Sequence, residues 1–178
     1  MVWSHCPSTS VCSLGCFGPS ATMTTNSSHV KCGFQPSSFS PEFSDDEPDG
    51  IKIAIPAVHT FSVDDEGERN PLPLCLTLRF NALYLERFEF VFEALKVVVV
   101  DDEHAKTLTG GVWRHRHYIP NEPTEIPPEE LAKRIATEYS TVDLLEFFDL
   151  PHRNATYKVY ALLEEHKSNV VTVKMKAR

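Results

Sequence analysis

Cations, glycines and long apolar runs are all scarce in this sequence. Only one of the 17 lysines and arginines, Lys31, lies in the first 50 residues, and the formal net charge is −8. An acidic chain without clustered cations binds nucleic acid poorly, because phosphate contacts need concentrated positive charge. No apolar run approaches the roughly 20 residues that a membrane-spanning helix requires. We therefore predict neither nucleic-acid binding nor a membrane span.

Sequence signals for catalysis are also missing. Residues 51–178 contain only three glycines and three serines, with no glycine-rich phosphate loop and no GxSxG nucleophile motif. The N-terminal segment lacks the cationic start and apolar stretch of a signal peptide, which favours a cytoplasmic location. These observations predict a non-enzymatic protein that needs no cofactor.

The first 50 residues differ in composition from the rest. They hold 11 serines, five prolines, one cation and five carboxylates, hence a charge of −4, and show no periodic apolar pattern. Such a segment cannot bury enough apolar surface to offset the entropy cost of ordering it. We predict a disordered Ser/Pro-rich tail over residues 1–50 and one domain over residues 51–178. Ser40, which precedes a proline, and Ser44, which begins Ser-Asp-Asp-Glu, are candidate phosphorylation sites in this tail.

Short alternating apolar stretches predict strands throughout the domain. Residues 72–80 and 88–92 alternate with period 2, which is typical of strands with one buried face. Residues 95–100 are apolar on both faces and suit a central strand. Further strand candidates are residues 51–55, 58–63, 112–118, 157–161 and 169–175. One short helix is expected within residues 127–136, where prolines and acids stand at the start. The pattern predicts an all-β fold, an antiparallel sandwich of about seven or eight strands.

The stretch from Tyr139 to Met175 carries a further pattern. It contains Val-Asp-Leu, Phe-Phe-Asp-Leu-Pro, Ala-Thr-Tyr-Lys-Val-Tyr-Ala and Ser-Asn-Val-Val-Thr-Val in that order. This order resembles the closing strands of immunoglobulin-like and fibronectin-type-III-like β-sandwich modules. The resemblance implies a tyrosine corner at Tyr157, whose hydroxyl would bond to the backbone across the preceding turn. It implies no particular activity, and the domain has no second cysteine to pair with Cys75, unlike immunoglobulin domains proper.

Two histidines form the strongest candidate for a metal site. His115 and His117 lie on one face of a predicted strand, because side chains alternate along a strand. Two imidazoles supply half of a copper or zinc site, and His59 or His104 could add a third ligand. A cupredoxin-like copper site would also need Cys75 nearby. The alternative is a solvated polar face.

Three functions remain open at this point. The first is a non-enzymatic module that binds another protein at a sheet edge. The second is a metal-binding, cupredoxin-like sandwich that uses His115 and His117. The third is an enzyme whose site is assembled from scattered residues. The acidic stretch from Asp101 to Glu103 lacks the ligand spacing of a calcium loop, and we predict a solvated turn there.

Overall fold

The computed structural model describes residues 35–61, 70–112 and 126–177. These ranges contain nine strands and four helices, and each helix has four or five residues. The strands are β1 (Gly50–Ala54), β2 (Val58–Phe61), β3 (Pro73–Asn81), β4 (Lys96–Asp101), β5 (Lys106–Gly111), β6 (Ile135–Asp143), β7 (Ala155–Leu163), β8 (His166–Lys167) and β9 (Val171–Ala177). The helices are α1 (Ala82–Leu85), α2 (Val91–Ala94), α3 (Pro128–Leu131) and α4 (Leu144–Phe148).

The nine strands form two sheets, which confirms the all-β class. The first sheet has the order β1-β3-β6 and is antiparallel. The second has the order β2-β9-β7-β4-β5, and β8 pairs with β7. The prediction of purely antiparallel pairing is wrong, because β2 runs parallel to β9. Residues 55–57 carry the chain from the first sheet to the second, and the Lys174 N–H donates to the Ala57 carbonyl at 2.9 Å.

One hydrophobic core joins the two sheets, an arrangement compatible with a β-sandwich. From β3, Leu74, Leu76 and Leu78 are 0% exposed, and from the second sheet Val97 and Val159 are equally buried. All five belong to the same cluster of buried side chains. Burying an aliphatic side chain of this size is worth about 1.5–3 kcal/mol. The apolar alternation seen in the sequence of β3 therefore marks the face that holds the sheets together.

The prediction of a strand over residues 88–92 is wrong. The chain turns through residues 86–90 and then forms α2. Val91 and Phe92 lie in α2, and both are buried. Phe88 instead packs its ring against Tyr84, with 5.6 Å between the ring centroids.

The short helix predicted within residues 127–136 is present as α3, which covers Pro128–Leu131 and is followed by β6 from Ile135. The expectation that it would be the one helix is wrong, because the described residues contain three further short helices. Strand β5 lies just before the predicted strand 112–118, whose residues from 113 onwards fall outside the described residues. Gly110 belongs to β5, where a Cβ would lie only 3.2 Å from the Phe148 ring.

Candidate functional site

Strand β6 forms one edge of the first sheet and pairs with β3 along its whole length. At one end of this pair, the Leu144 N–H donates to the Leu72 carbonyl at 2.9 Å. At the other end, the Ala82 N–H donates to the Arg134 carbonyl at 2.9 Å. Opposed residues of an antiparallel pair alternate between bonded and non-bonded positions. Even-numbered residues of β6 therefore direct their backbone groups toward β3, and odd-numbered residues direct theirs away.

The outward-directed backbone groups form what we call the open edge of β6. They belong to Ile135, Thr137 and Tyr139; the next outward position, Thr141, is only 2% exposed and lies outside this edge. Within the part of the chain that the structure describes, no hydrogen bond engages these backbone groups. The Ile135 side chain is 56% exposed and the Thr137 side chain is also exposed. Such a row of unpaired donors and acceptors can pair with an added strand.

The opposite edge of the same sheet is closed. The side chain of Asn169 bonds to both backbone groups that Ile53 directs away from β3. Asn169 Oδ1 accepts from the Ile53 N–H at 2.8 Å, and Asn169 Nδ2 donates to the Ile53 carbonyl at 2.9 Å. This amide replaces the pairing that another strand would supply at β1. The described residues therefore leave the outer edge of β6 unpaired from Ile135 to Tyr139, whereas Asn169 blocks β1 at Ile53.

A charged residue on β6 limits unspecific pairing at the open edge. Glu138 lies opposite the fully buried Leu78, so its side chain stands on the core-facing side of the sheet while staying exposed at the rim. Partial desolvation there raises the pKa of Glu138 above its ordinary value. Charges that point inward on edge strands disfavour edge-to-edge aggregation, because pairing with a second apolar sheet would bury them.

The outer face of the first sheet is covered by residues 37–49, which we call the covering segment. Arg79 of β3 donates through Nη1 to the Ser44 carbonyl at 2.9 Å, through Nη2 to the Glu47 carbonyl and through Nε to Asp49 at 3.2 Å. The Phe43 ring lies under the same guanidinium, 4.7 Å from its carbon. At the other end of the segment, Ser37 Oγ lies 3.4 Å from the sulfur of Cys75, which is on the outer face of β3 and only 1% exposed.

A second cation of the sheet holds the covering segment as well. Lys52 Nζ donates to the Glu42 carbonyl at 2.8 Å and forms an ion pair with Glu47. The hydrogen bond from Lys52 and the backbone N–H of Ser44 lower the pKa of Glu47 to about 2. Glu47 therefore stays ionised far below neutral pH. The division between tail and domain at residue 50 stays a prediction, but residues 37–49 contact the sheet.

The two candidate phosphorylation sites differ in their surroundings. Ser40 is half-buried, and its Oγ accepts from the Ser37 N–H at 2.9 Å in a tight turn. Ser44 is exposed, and its N–H donates to the Glu47 carboxylate at 2.7 Å. A phosphate at Ser44 would lie beside that carboxylate and repel it. Phosphorylation at either position stays a prediction.

The acidic turn after β4 contains a buried ionic cluster. Asp101 is only 4% exposed, so the prediction of a fully solvated turn is wrong for this residue. Its carboxylate accepts from Arg153 Nη2 at 2.7 Å and from His104 Nδ1 at 3.0 Å, and Arg153 Nη1 lies 3.1 Å from His104 Nε2. Burial opposes ionisation of Asp101, but its hydrogen bonds with His104 and Arg153 outweigh that cost and lower its pKa. The cluster ties the turn after β4 to the segment before β7.

Tyr157 lies next to this cluster and is 2% exposed. Burial raises the pKa of its hydroxyl above the ordinary value. The neighbouring Arg153 guanidinium interacts with this hydroxyl and partly offsets the rise in pKa, although no described group lies in full hydrogen-bond geometry to the Tyr157 hydroxyl or to Arg153 Nε. The backbone hydrogen bond of a tyrosine corner is thus missing within the described residues. Tyr157 contributes to the structure through its buried ring.

Replacing Tyr157 by phenylalanine separates the contribution of its hydroxyl to stability from that of its ring. Because the buried hydroxyl has no hydrogen bond of full geometry and interacts only with Arg153, its removal should leave the free energy of unfolding unchanged or raise it by about 1 kcal/mol. Urea unfolding at pH 7 measures this difference. As a control, Tyr157→Ala removes the ring and should cost about 3–5 kcal/mol. A loss above roughly 1 kcal/mol in Tyr157→Phe would instead indicate that the hydroxyl forms the corner bond.

The structure does not test the predicted metal ligands. His115 and His117 lie outside the described residues, so a metal site there stays a prediction. Both nitrogens of His104 contact Asp101 and Arg153, which leaves neither free for a metal in this arrangement. Across residues 35–61, 70–112 and 126–177, no three histidine, cysteine, aspartate or glutamate side chains are grouped as a metal ion would need. None of the helices in these ranges is long and apolar enough to cross a membrane.

Sequence reasoning missed the open edge of β6 and the cation contacts of the covering segment. Strand β6 lacks an apolar alternation, since its core-facing positions include Glu138 and Ser140. Nothing local in the sequence indicates that Arg79 meets Ser44, because 35 residues separate them. No family model matches the chain, and no curated protein matches it significantly.

Proposed function

We propose that the chain is a non-enzymatic β-sandwich module that binds another protein by strand addition at the open edge of β6. The single observation that carries this proposal is the row of outward backbone groups from Ile135 to Tyr139. Main-chain hydrogen bonds would supply affinity in such a complex, and side-chain pockets at alternate positions would supply specificity. A relationship to immunoglobulin-like and fibronectin-type-III-like modules is part of the same proposal.

The length of β6 supports this role. The strand has nine residues and contains no proline, so an added strand could pair along its accessible stretch from Ile135 to Tyr139. Protective devices of edge strands include proline, bulges and charges. Of these, β6 carries the core-facing charge of Glu138, which leaves the backbone of the outer edge accessible to a chosen partner strand.

A proline substitution at Thr137 tests this function. The Thr137 N–H points away from β3, so Thr137→Pro removes a docking donor while the pairing with β3 stays intact. A display library of random ten-residue peptides is selected on the full chain, and enriched peptides are measured by fluorescence anisotropy. We expect binding to weaken by about tenfold in Thr137→Pro, which corresponds to 1.4 kcal/mol.

The matched control is Thr137→Val, which keeps the backbone N–H and should bind like the wild type. Hydrogen exchange with a bound peptide should slow at residues 135, 137 and 139. If the enriched peptides bind all three proteins equally, or protect amides elsewhere, the proposal is wrong. Circular dichroism of each variant confirms that the fold is retained.

A further inference from the structure

The outer face of the second sheet concentrates positive charge on an acidic chain. Along β7 and β9 the core-facing side chains alternate with residues that point away from the core. By register, β4 contributes Lys96 to the same outer side. We call this surface the basic face, and its cations are Lys96, Lys158, Lys167, Lys174 and Lys176. All five are exposed, whereas the whole chain has a net charge of −8.

Few carboxylates neutralise the basic face. No outward-facing position in the described parts of β2, β9, β7, β4 and β5 is aspartate or glutamate. Lys158 pairs with Asp102 at one end of the sheet. The described residues supply no ion pair to Lys96, Lys174 or Lys176. Lys167 lies over the Tyr160 ring, with its Nζ 4.1 Å from the ring centroid.

We propose that the basic face binds an extended acidic segment of another protein. Register places Lys174 beside Thr156 and Lys96 beside Leu162, so Lys176 and Lys96 lie about eight residue positions apart along the strands. At 3.4 Å per residue the cations span about 27 Å, the length of an extended peptide of about eight residues. A segment with a carboxylate at every second residue could meet the lysines at both ends.

The end of the face near β9 has a shape that suits such a segment. An open groove of about 380 Å³ lies there, between the ends of β7 and β9. Lys174, Lys176, Thr156 and Asn154 supply donors along it, and Glu103 is the one carboxylate among its lining residues in the described chain. Donors thus outnumber acceptors where an incoming carboxylate would lie.

Other polyanions fit the basic face less well. Single-stranded nucleic acid needs aromatic platforms on which bases stack, and the ring of Tyr160 is covered by Lys167. Binding to an anionic membrane surface is opposed by the net charge of −8, and the outer face of the described sheet offers only Val58, 45% exposed beside Lys174, as a large exposed apolar side chain. A short acidic peptide carries few charges, so the net negative charge of the chain repels it only weakly. Attraction by the nearby lysines then dominates.

The test uses a fluorescein-labelled peptide of four Ser-Glu repeats and the full chain, measured by anisotropy in 50 mM NaCl. We expect saturable binding that weakens about fivefold in Lys174→Gln/Lys176→Gln, because two exposed ion pairs are lost. The matched control is Lys133→Gln/Arg134→Gln, which removes the same charge from exposed positions before β6 and should change binding less than about twofold. Raising the salt to 300 mM should weaken the wild-type complex.

Clear outcomes would overturn this proposal. They are no saturable binding, an equal loss in both double variants, or tighter binding of an eight-residue oligodeoxythymidine or of phosphatidylserine vesicles. The basic face lies on the second sheet and the open edge of β6 on the first, so Thr137→Pro should leave peptide binding unchanged. Failure of one proposal therefore does not imply failure of the other.

Discussion

Replacing Leu76 by alanine is expected to lower the free energy of unfolding by about 2–5 kcal/mol. Leu76 is 0% exposed and belongs to the core cluster between the sheets. Its neighbours across the first sheet are Ile53 and Ser140, whose backbones are fixed by pairing, so the cavity cannot close. Such a loss is a large share of the roughly 5–15 kcal/mol by which domains are stable.

Thermal and urea unfolding measure the effect of Leu76→Ala. The melting temperature should fall by roughly 5–15 °C for a domain of this size. Leu83→Ala is the matched control, because Leu83 in α1 is 40% exposed and its truncation should cost about 0.5 kcal/mol at most. A loss below about 1 kcal/mol for Leu76→Ala would contradict the shared core.

Replacing Arg79 by glutamine is expected to expose Cys75 to thiol reagents. The Arg79 side chain makes three hydrogen bonds to the covering segment and lies over the Phe43 ring. Ser37 of that segment lies 3.4 Å from the Cys75 sulfur. Local opening sets the labelling rate of a buried thiol, so loss of these contacts should speed the reaction of Cys75 at least about tenfold.

Labelling with a chromogenic disulfide under native conditions measures this rate. The other four cysteines are first replaced by serine, namely Cys6, Cys12, Cys16 and Cys32. Arg87→Gln is the control, because it removes the same charge from an arginine that is 58% exposed and pairs with Glu164. If both variants label alike, or if Arg79→Gln labels like the wild type, Arg79 does not hold the segment. Unchanged circular dichroism shows that labelling reflects local opening.

Much of the fold could be predicted from local pattern, and the exceptions have a shared cause. Residues 72–80 predicted β3 because the apolar alternation along that strand matches a sheet with a buried face. The valines of β4 correctly predicted a central strand, since β4 lies between β7 and β5. Strand β6 was missed because an edge strand buries less surface, and its core-facing positions are partly polar.

The candidate sites were harder to predict from the sequence than the strands were. An open edge is a property of strand order, and strand order depends on contacts between residues far apart in the chain. The basic face likewise needs the register of β4, β7 and β9, because Lys96 and Lys174 are 78 positions apart in sequence. From the sequence, the ionic cluster of Asp101 could be predicted only as an acidic turn, because its partner Arg153 lies 52 residues later.

The sequence by itself determined the all-β class and the strands whose apolar residues alternate, because side-chain periodicity is a local property of the backbone. It also determined the net charge. Only the tertiary structure decided that residues 37–49 cover Cys75, that β2 pairs in parallel with β9 and that β6 presents an open edge. The physical reason is that pairing and burial depend on which distant segments meet, and this is set by the packing of the whole core.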